Sequence, residues 1–154
     1  MNAVSSGSSI SPFLWFDNNA HEAAEFYIGI FPNSRKVSEL KNPQTPDKPP
    51  LVVSFDIDGQ RVTAMNGGPH QKLSPAFSFV VNCKDQEELD RYWSKLTEGG
   101  TEVACGWLTD KFGLSWQVVP ANIGELVSHP KAFEAMMGMK KLDIATLKTA
   151  AQQG

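Results

Sequence analysis

The stretch "SPFLWFDNNAHEAAEFYIGI", residues 11–30, reads as one strand followed by one helix, and its pattern returns once further along the chain. The strand covers residues 11–17, opened by Pro12 and closed by Asn18-Asn19. Asn19 and Glu22 have capping-box spacing. Ala23, Phe26, Tyr27 and Ile30 then recur at the spacing of one helix face, and "FPNS" breaks the run. The second copy is "SPAFSFVVNCKDQEELDRYWSKL", residues 74–96. Its strand is expected over 74–81, its cap at Asp85 with Glu88, and its apolar face at Leu89, Tyr92, Trp93 and Leu96. Gly99-Gly100 ends the helix. Caps and apolar positions lie 66 residues apart (Asn19 and Asp85, Phe26 and Tyr92), whereas the Ser-Pro pairs lie 63 apart. The register therefore predicts three extra residues in one connecting loop. A repeat of this period is a duplicated unit rather than a solenoid.

Further strands are expected after each helix. In the first half they fall at 35–40, 51–57 and 60–66, the last two joined by Asp58-Gly59, a hairpin signal. In the second they fall at 102–107 and 114–119, with a less clear strand or a longer loop between. Each unit approximates strand–helix–strand–strand–strand. The segment 41–50, "KNPQTPDKPP", holds four prolines and reads as a loop. Beyond Pro120 the chain turns helical, with Phe133, Met136 and Met137 on one face and Ile144, Leu147 and Ala151 on another. A methionine cluster of this kind suits core or dimer packing, or an adaptable binding surface.

Composition narrows the partners. The 154 residues carry 14 Lys and Arg against 17 Asp and Glu, a net charge of −3, with no basic run longer than Lys140-Lys141. Nucleic-acid binding needs a clustered positive face, so no nucleic-acid partner is expected. No apolar stretch approaches the about 18 residues of a membrane span, and "MNAVSSGSS" has no secretory pattern. Cys83 and Cys105 lack metal spacing and are too few to staple the fold, which suits a reducing cytoplasm.

A duplicated βαβββ unit resembles the vicinal oxygen chelate superfamily, which includes glyoxalase I, bleomycin-resistance proteins and extradiol dioxygenases. "PFLWFDNNAHEAAEFYIGIFPNS", "MNGGP", "FSFVVNCKDQEELDRYW" and "CGWLTDKFGLSWQVVP" are similar to its PhnB-like branch, whose members are often labelled 3-demethylubiquinone-9 3-methyltransferase-like. The resemblance implies an α+β fold of tandem βαβββ modules forming a cupped sheet (the glyoxalase/bleomycin resistance fold), plus C-terminal helices. The expected organisation is a disordered tail over 1–9, the vicinal oxygen chelate domain over 10–121 with modules at about 10–68 and 74–121, and a helical extension over 122–154. It also implies a small-molecule ligand in the cup and a homodimer, for which the apolar tail supplies surface.

Many enzymes of this superfamily hold a divalent metal with His from the first strand and Glu from the last strand of each unit. Strand alternation places Leu14 and Phe16 toward the first helix and Ser11, Phe13, Trp15 and Asp17 away from it. Phe77, Phe79 and Val81 are expected to pack on the second helix, with Ser74, Ala76, Ser78 and Val80 facing the cup. Counting four residues from Gly59 and Gly113 puts the family's ligand positions at Thr63 and Gln117. The four positions in question are then Ser11, Thr63, Ser74 and Gln117. Hydroxyls and an amide supply neither the charge nor the donor strength a transition metal needs. His21, His70 and His129 fall in a helix turn and two loops, so no metal and no other cofactor is expected.

The expected cup lining is Phe13, Trp15, Arg61, Thr63, Met65, Ser78, Ser115 and Gln117, apolar walls with a few polar groups. Gln117 either orients a ligand amide or carbonyl or bonds to Ser78 or a neighbouring strand. Arg61 either meets an anionic ligand or pairs with Asp56 or Asp58. In "CGWLTDKFG", residues 105–113, Trp107 is a candidate to close over a flat ligand by stacking, Cys105 reads as a buried, inert thiol, and Asp110 and Lys111 are expected to cap a turn or pair with each other. The glycines of "MNGGP" permit a tight turn at the rim. Neither a GxGxG turn nor alternating βαβ order is present for S-adenosylmethionine. The readings are a metal-free binding protein, an enzyme on the same cup (isomerase, lyase or transferase), or a metalloenzyme with displaced ligands.

Overall fold

In the computed structural model, which describes residues 8–153, each copy of the repeat becomes a four-stranded mixed sheet with a helix on one face. The chain divides into two units, one ending at Leu73 and one beginning at Ser74. Most of the expected 1–9 tail, residues 1–7, lies outside the described residues.

The first unit runs β1 (Phe13–Phe16), α1 (Ala20–Ile30), β2 (Arg35–Leu40), β3 (Val52–Ile57) and β4 (Gln60–Asn66), with sheet order β1-β4-β3-β2. β1 pairs parallel with β4, and the other pairs are antiparallel. Leu14 and Phe16 are buried with Val62, Ala64, Val53 and Phe55. Tyr27 of α1 stacks on Phe55 at 6.3 Å between ring centroids, which marks this as the helix side of the sheet. Asp58 and Gly59 both have positive φ, 47° and 80°, as a two-residue turn matched to strand twist requires. Asn19 does not cap α1 through its side chain. Asn66, at the end of β4, takes that role by accepting from the Ala20 N–H at 2.8 Å while donating to the Pro50 carbonyl at 3.0 Å. The local spacing of Asn19 and Glu22 is overridden by a tertiary partner 46 residues away.

The second unit runs β5 (Ser78–Cys83), α2 (Gln86–Thr97), β6 (Thr101–Glu102), β7 (Trp107–Thr109) and β8 (Ser115–Pro120), in order β5-β8-β7-β6. Leu89, Tyr92, Trp93 and Leu96 are buried, and Phe79 packs on Trp116 with ring centroids 5.2 Å apart. The cap forms as expected here: the Asp85 carboxylate accepts from the Glu88 N–H at 2.9 Å.

Two expectations fail in this unit. The strand expected over 74–81 starts at Ser78, because Ser74–Phe77 form a turn in which the Phe77 N–H donates to the Ser74 carbonyl. Phe77 is consequently 46% exposed, its ring edge-on to Phe79 with centroids 5.4 Å apart. The shared Ser-Pro pairs are not structurally equivalent: β1 and β5 end 67 residues apart, close to the cap offset, and the extra residues precede β5. The strand expected over 102–107 is interrupted because Cys105 and Gly106 adopt left-handed φ values of 60° and 86°.

Three helices follow: α3 (Ile123–Leu126), α4 (Pro130–Met137) and α5 (Ile144–Gln152). Gln86 of α2 ties them to the second unit, accepting from the Ile144 N–H at 2.7 Å and donating to the Leu142 carbonyl at 3.0 Å. Leu126, Ala132, Leu142 and Leu147 are buried. Phe133 and Met137 stay 49% and 56% exposed, so that face is not core within this chain. Among the described residues no helix is long and apolar enough to cross a membrane.

Asp85→Ala is expected to cost about 1 kcal/mol, the usual loss of a capping carboxylate, and Asn19→Ala clearly less. Urea midpoints for the two variants check this; an equal or larger loss at Asn19 contradicts the assignment of the α1 cap to Asn66.

Candidate functional site

Each sheet has one face toward its helix and one face away from it, and the residues expected to line a ligand site fall on the faces away. In the first unit the register places Phe13 beside Thr63 and Trp15 beside Met65, so these four and Arg61 share that face. Phe13 is 57% exposed. Trp15 is fixed: its indole N–H donates to the Gly68 carbonyl at 2.9 Å. A Cβ on Gly67 would lie 2.4 Å from Trp15 Cε2 and 2.8 Å from Met65 Cε, so only glycine lets the chain cross this ring. The "MNGGP" turn therefore clamps Trp15, a role that the sequence did not reveal.

The polar groups of this face are largely engaged with one another. Thr63 Oγ1 and Ser54 Oγ are 3.1 Å apart. Arg61 Nε donates to Asp56 Oδ1 at 2.6 Å, and Arg35 Nε lies 3.5 Å from Asp56 Oδ2. Of the two carboxylates considered for Arg61, the structure selects Asp56. Its neighbour across the sheet is the largely buried Asp56 because residues paired in β3 and β4 face the same way.

In the second unit two rows cross the sheet on the face away from α2. One joins Val80, Gln117 and Trp107, and the other joins Ser78, Ser115 and Thr109. Gln117 Nε2 donates to Ser78 Oγ at 3.1 Å, the structural bond weighed against ligand contact. Ser115 is 1% exposed, and its hydroxyl has no hydrogen-bond partner among the described residues. Trp107, expected at the end of the 102–107 strand, instead opens β7. Asp110 is buried and caps the turn after β7, accepting from the N–H groups of Phe112 and Leu114 and from the Trp116 indole at 2.9 Å.

The cysteines differ. Cys83 is buried, and burial, with the nearby Glu88 and Asp85 charges, pushes its thiol up to about 12. Cys105 is not buried as expected: it is half-buried, its Sγ 3.7 Å from Met137 Sδ, in a left-handed turn whose Cys105 and Gly106 N–H groups donate to the Met139 and Lys140 carbonyls.

The donor set does not fit the divalent metal of many superfamily members. Ser11 and Ser74 precede their strands. The strand partners of Thr63 and Gln117 are Phe13 and Val80, which ligate nothing. His21 sits in the first turn of α1 near Glu39 and Glu25, His70 in a turn after β4, and His129 before α4. Among the described residues no group of three His, Cys, Asp or Glu is placed to hold a metal ion.

Two mixed sheets of this order, each with one helix, define an α+β protein of the glyoxalase/bleomycin resistance fold, in the vicinal oxygen chelate superfamily. Residues 8–119 match the family model described as 3-demethylubiquinone-9 3-methyltransferase, and the chain belongs to that family, the PhnB-like branch. A PhnB protein from Bacillus cereus, named for the same methyltransferase, is 28% identical with a TM-score of 0.66, over 73% of this chain and 99% of that one. Protein PA1353 from Pseudomonas aeruginosa is 20% identical with a TM-score of 0.61, over 74% and 97%. The fosfomycin resistance protein FosX from Listeria monocytogenes, complexed with Mn(II) and sulfate, is 16% identical with a TM-score of 0.50, over 75% and 90%. The last two likenesses establish fold alone. No curated protein matches the sequence significantly.

Gly67→Ala is expected to displace Trp15 and lower stability by about 1–3 kcal/mol, the usual range for overpacking, with a shift in tryptophan emission. Unchanged emission and melting temperature contradict the clamp. Ellman's reagent is expected to titrate one thiol in the native protein, Cys105, and two in denaturant; a Cys105→Ser protein that still reacts natively overturns the assignment.

Proposed function

We propose that this chain is a small-molecule-binding protein that holds its ligand on sheet faces turned away from the helices, without the metal used by many relatives. The observation that carries the reading is the contrast between the two faces of each sheet. The helix sides are closed by buried Leu14, Phe16, Phe55, Trp116 and Val118, whereas the opposite faces leave Phe13 57%, Leu40 54% and Val80 50% exposed. Large apolar side chains left open beside a few polar groups mark a contact surface. In the first unit such a surface is formed by Phe13, Trp15, Thr63 and Met65, with Arg61 held by Asp56. In the second unit one is formed by Ser78, Trp107 and Gln117. Many relatives keep a glutamate at the position that Gln117 matches by its spacing from Gly113; the amide keeps the shape and removes the charge, which favours hydrogen bonding over metal ligation.

The family's description favours a second reading, methyl transfer to a demethylubiquinone. The described fold offers S-adenosylmethionine neither a doubly wound parallel sheet nor a glycine-rich turn leading from a strand into a helix. A homodimer in a reducing cytoplasm completes the proposal: Phe133 and Met137 offer the surface, and two free cysteines suit that compartment.

Native mass spectrometry of protein purified without tags or chelators is expected to show an organic ligand at a whole-number ratio, no zinc, nickel or manganese, and two chains. Calorimetry with S-adenosylmethionine is expected to give no binding heat. Stoichiometric metal, or methylation of a demethylubiquinone analogue, overturns the binding-protein reading. Turnover with another substrate makes the chain an enzyme, and loss of that turnover with affinity retained in Gln117→Ala assigns Gln117 to its chemistry rather than to binding.

A further inference from the structure

The second unit carries a concentration of hydrogen-bonding atoms that the fold does not use. Ser115 is nine-tenths buried and more, yet its hydroxyl has no partner among the described residues. A buried, unpaired hydroxyl costs stability, and serine is the wrong residue for such a position unless something else meets it. Gln117, two residues along the same strand and on the same face, uses Nε2 on Ser78 and has no partner for its carbonyl oxygen among the described residues. Trp107, the register partner of Gln117 in β7, is half-buried with its indole N–H likewise unpaired among them. Trp93, Trp116 and Trp15 all donate to protein oxygens, so the free indole of Trp107 departs from the chain's own pattern.

These atoms occupy two adjoining rows on one sheet face, Val80–Gln117–Trp107 and Ser78–Ser115–Thr109. Residues two apart on a strand lie about 7 Å from each other, which is the span of one six-membered ring with its substituents. No side chain in either row is charged. An ionised carboxylate or phosphate would find no counter-charge in these rows, and its desolvation would oppose binding. An uncharged ring bearing hydroxyl or carbonyl oxygens meets every requirement: its apolar face covers the half-exposed Val80, while its oxygens accept from the Trp107 N–H, donate through a hydroxyl to the Gln117 oxygen and pair with the Ser115 hydroxyl.

We infer that Ser115, Gln117 and Trp107 form a subsite for a neutral aromatic hydroxy or carbonyl compound, with Ser115 as the residue that discriminates for its oxygen. This deepens the binding-protein reading and rests on it.

The test is an NMR titration of nitrogen-15-labelled protein with three probes of one ring size: 2-methoxyphenol, toluene and benzoate. The Trp107 indole is assigned by its loss in Trp107→Phe. The phenol is expected to shift the Trp107 indole and the Gln117 side-chain amide and to bind more tightly than the other two. Ser115→Ala is expected to weaken the phenol about tenfold, one lost hydrogen bond at the upper end of its net worth, while leaving toluene unchanged. The same variant is expected to melt no lower than the parent, since it removes an unpaired hydroxyl. A lower melting temperature with undiminished phenol affinity would mean that the hydroxyl serves an internal water, and the subsite is overturned. Phenol shifts confined to the Trp15 indole overturn the subsite but leave the binding-protein reading standing. No shift with any probe overturns the subsite, whereas an organic ligand in native mass spectrometry would still support binding elsewhere.

Discussion

The Trp116 indole is the pivot of the second unit. Its ring lies against Phe79 on the helix side of the sheet, and its N–H donates to Asp110, which also closes the turn leading into β8 through the Phe112 and Leu114 amides. Side chains alternate along a strand, so fixing Trp116 inward fixes Ser115 and Gln117 outward. A slip of one residue would bury the amide under α2 and expose the indole. The burial of a large ring and the satisfaction of a buried carboxylate thus decide which chemistry the opposite face presents. In the first unit the same division is enforced by Tyr27 on Phe55, and it turns Trp15, Thr63 and Met65 outward.

Much of this was legible in the sequence because it rests on local periodicity. The helix faces of α1 and α2, the strands at 35–40 and 60–66, and the Asp58-Gly59 turn come from patterns within a few residues. The failures share a different cause. Asn66 capping α1, the Gly67 clamp on Trp15 and the Asp110–Trp116 bond all join elements through tertiary contact, and no spacing rule encodes them. The Ser-Pro match misled because two identical dipeptides take different roles, one leading straight into β1 and the other opening a turn ahead of β5. Cys105 is half-exposed rather than buried because a positive φ ends the strand expected there. Of the residues expected in a site, alternation alone placed Phe13, Trp15, Thr63 and Met65 on one face and Ser78 with Gln117 on another. The pairing of Arg61 with Asp56 needed the β3–β4 register.

The family description names a methyl transfer, whereas the second unit presents neutral hydrogen-bonding groups, Ser78, Ser115, Gln117 and Trp107, on one sheet face. A scaffold hosts many chemistries, and the site's atoms carry more weight than the fold's name. Here they lack the imidazoles and carboxylates that would let a divalent ion organise a reaction, and Asp56 is committed to Arg61 and Arg35.

The most direct measurement is a crystal structure of the protein purified without tags or chelators, read for density on the helix-free face of the β5–β8–β7 sheet. Planar organic density is expected beside Trp107, with an oxygen within hydrogen-bond distance of Ser115 Oγ and of the Gln117 amide. A metal ion coordinated by protein side chains, or a Ser115 hydroxyl and Trp107 indole both satisfied by the protein itself, would contradict it.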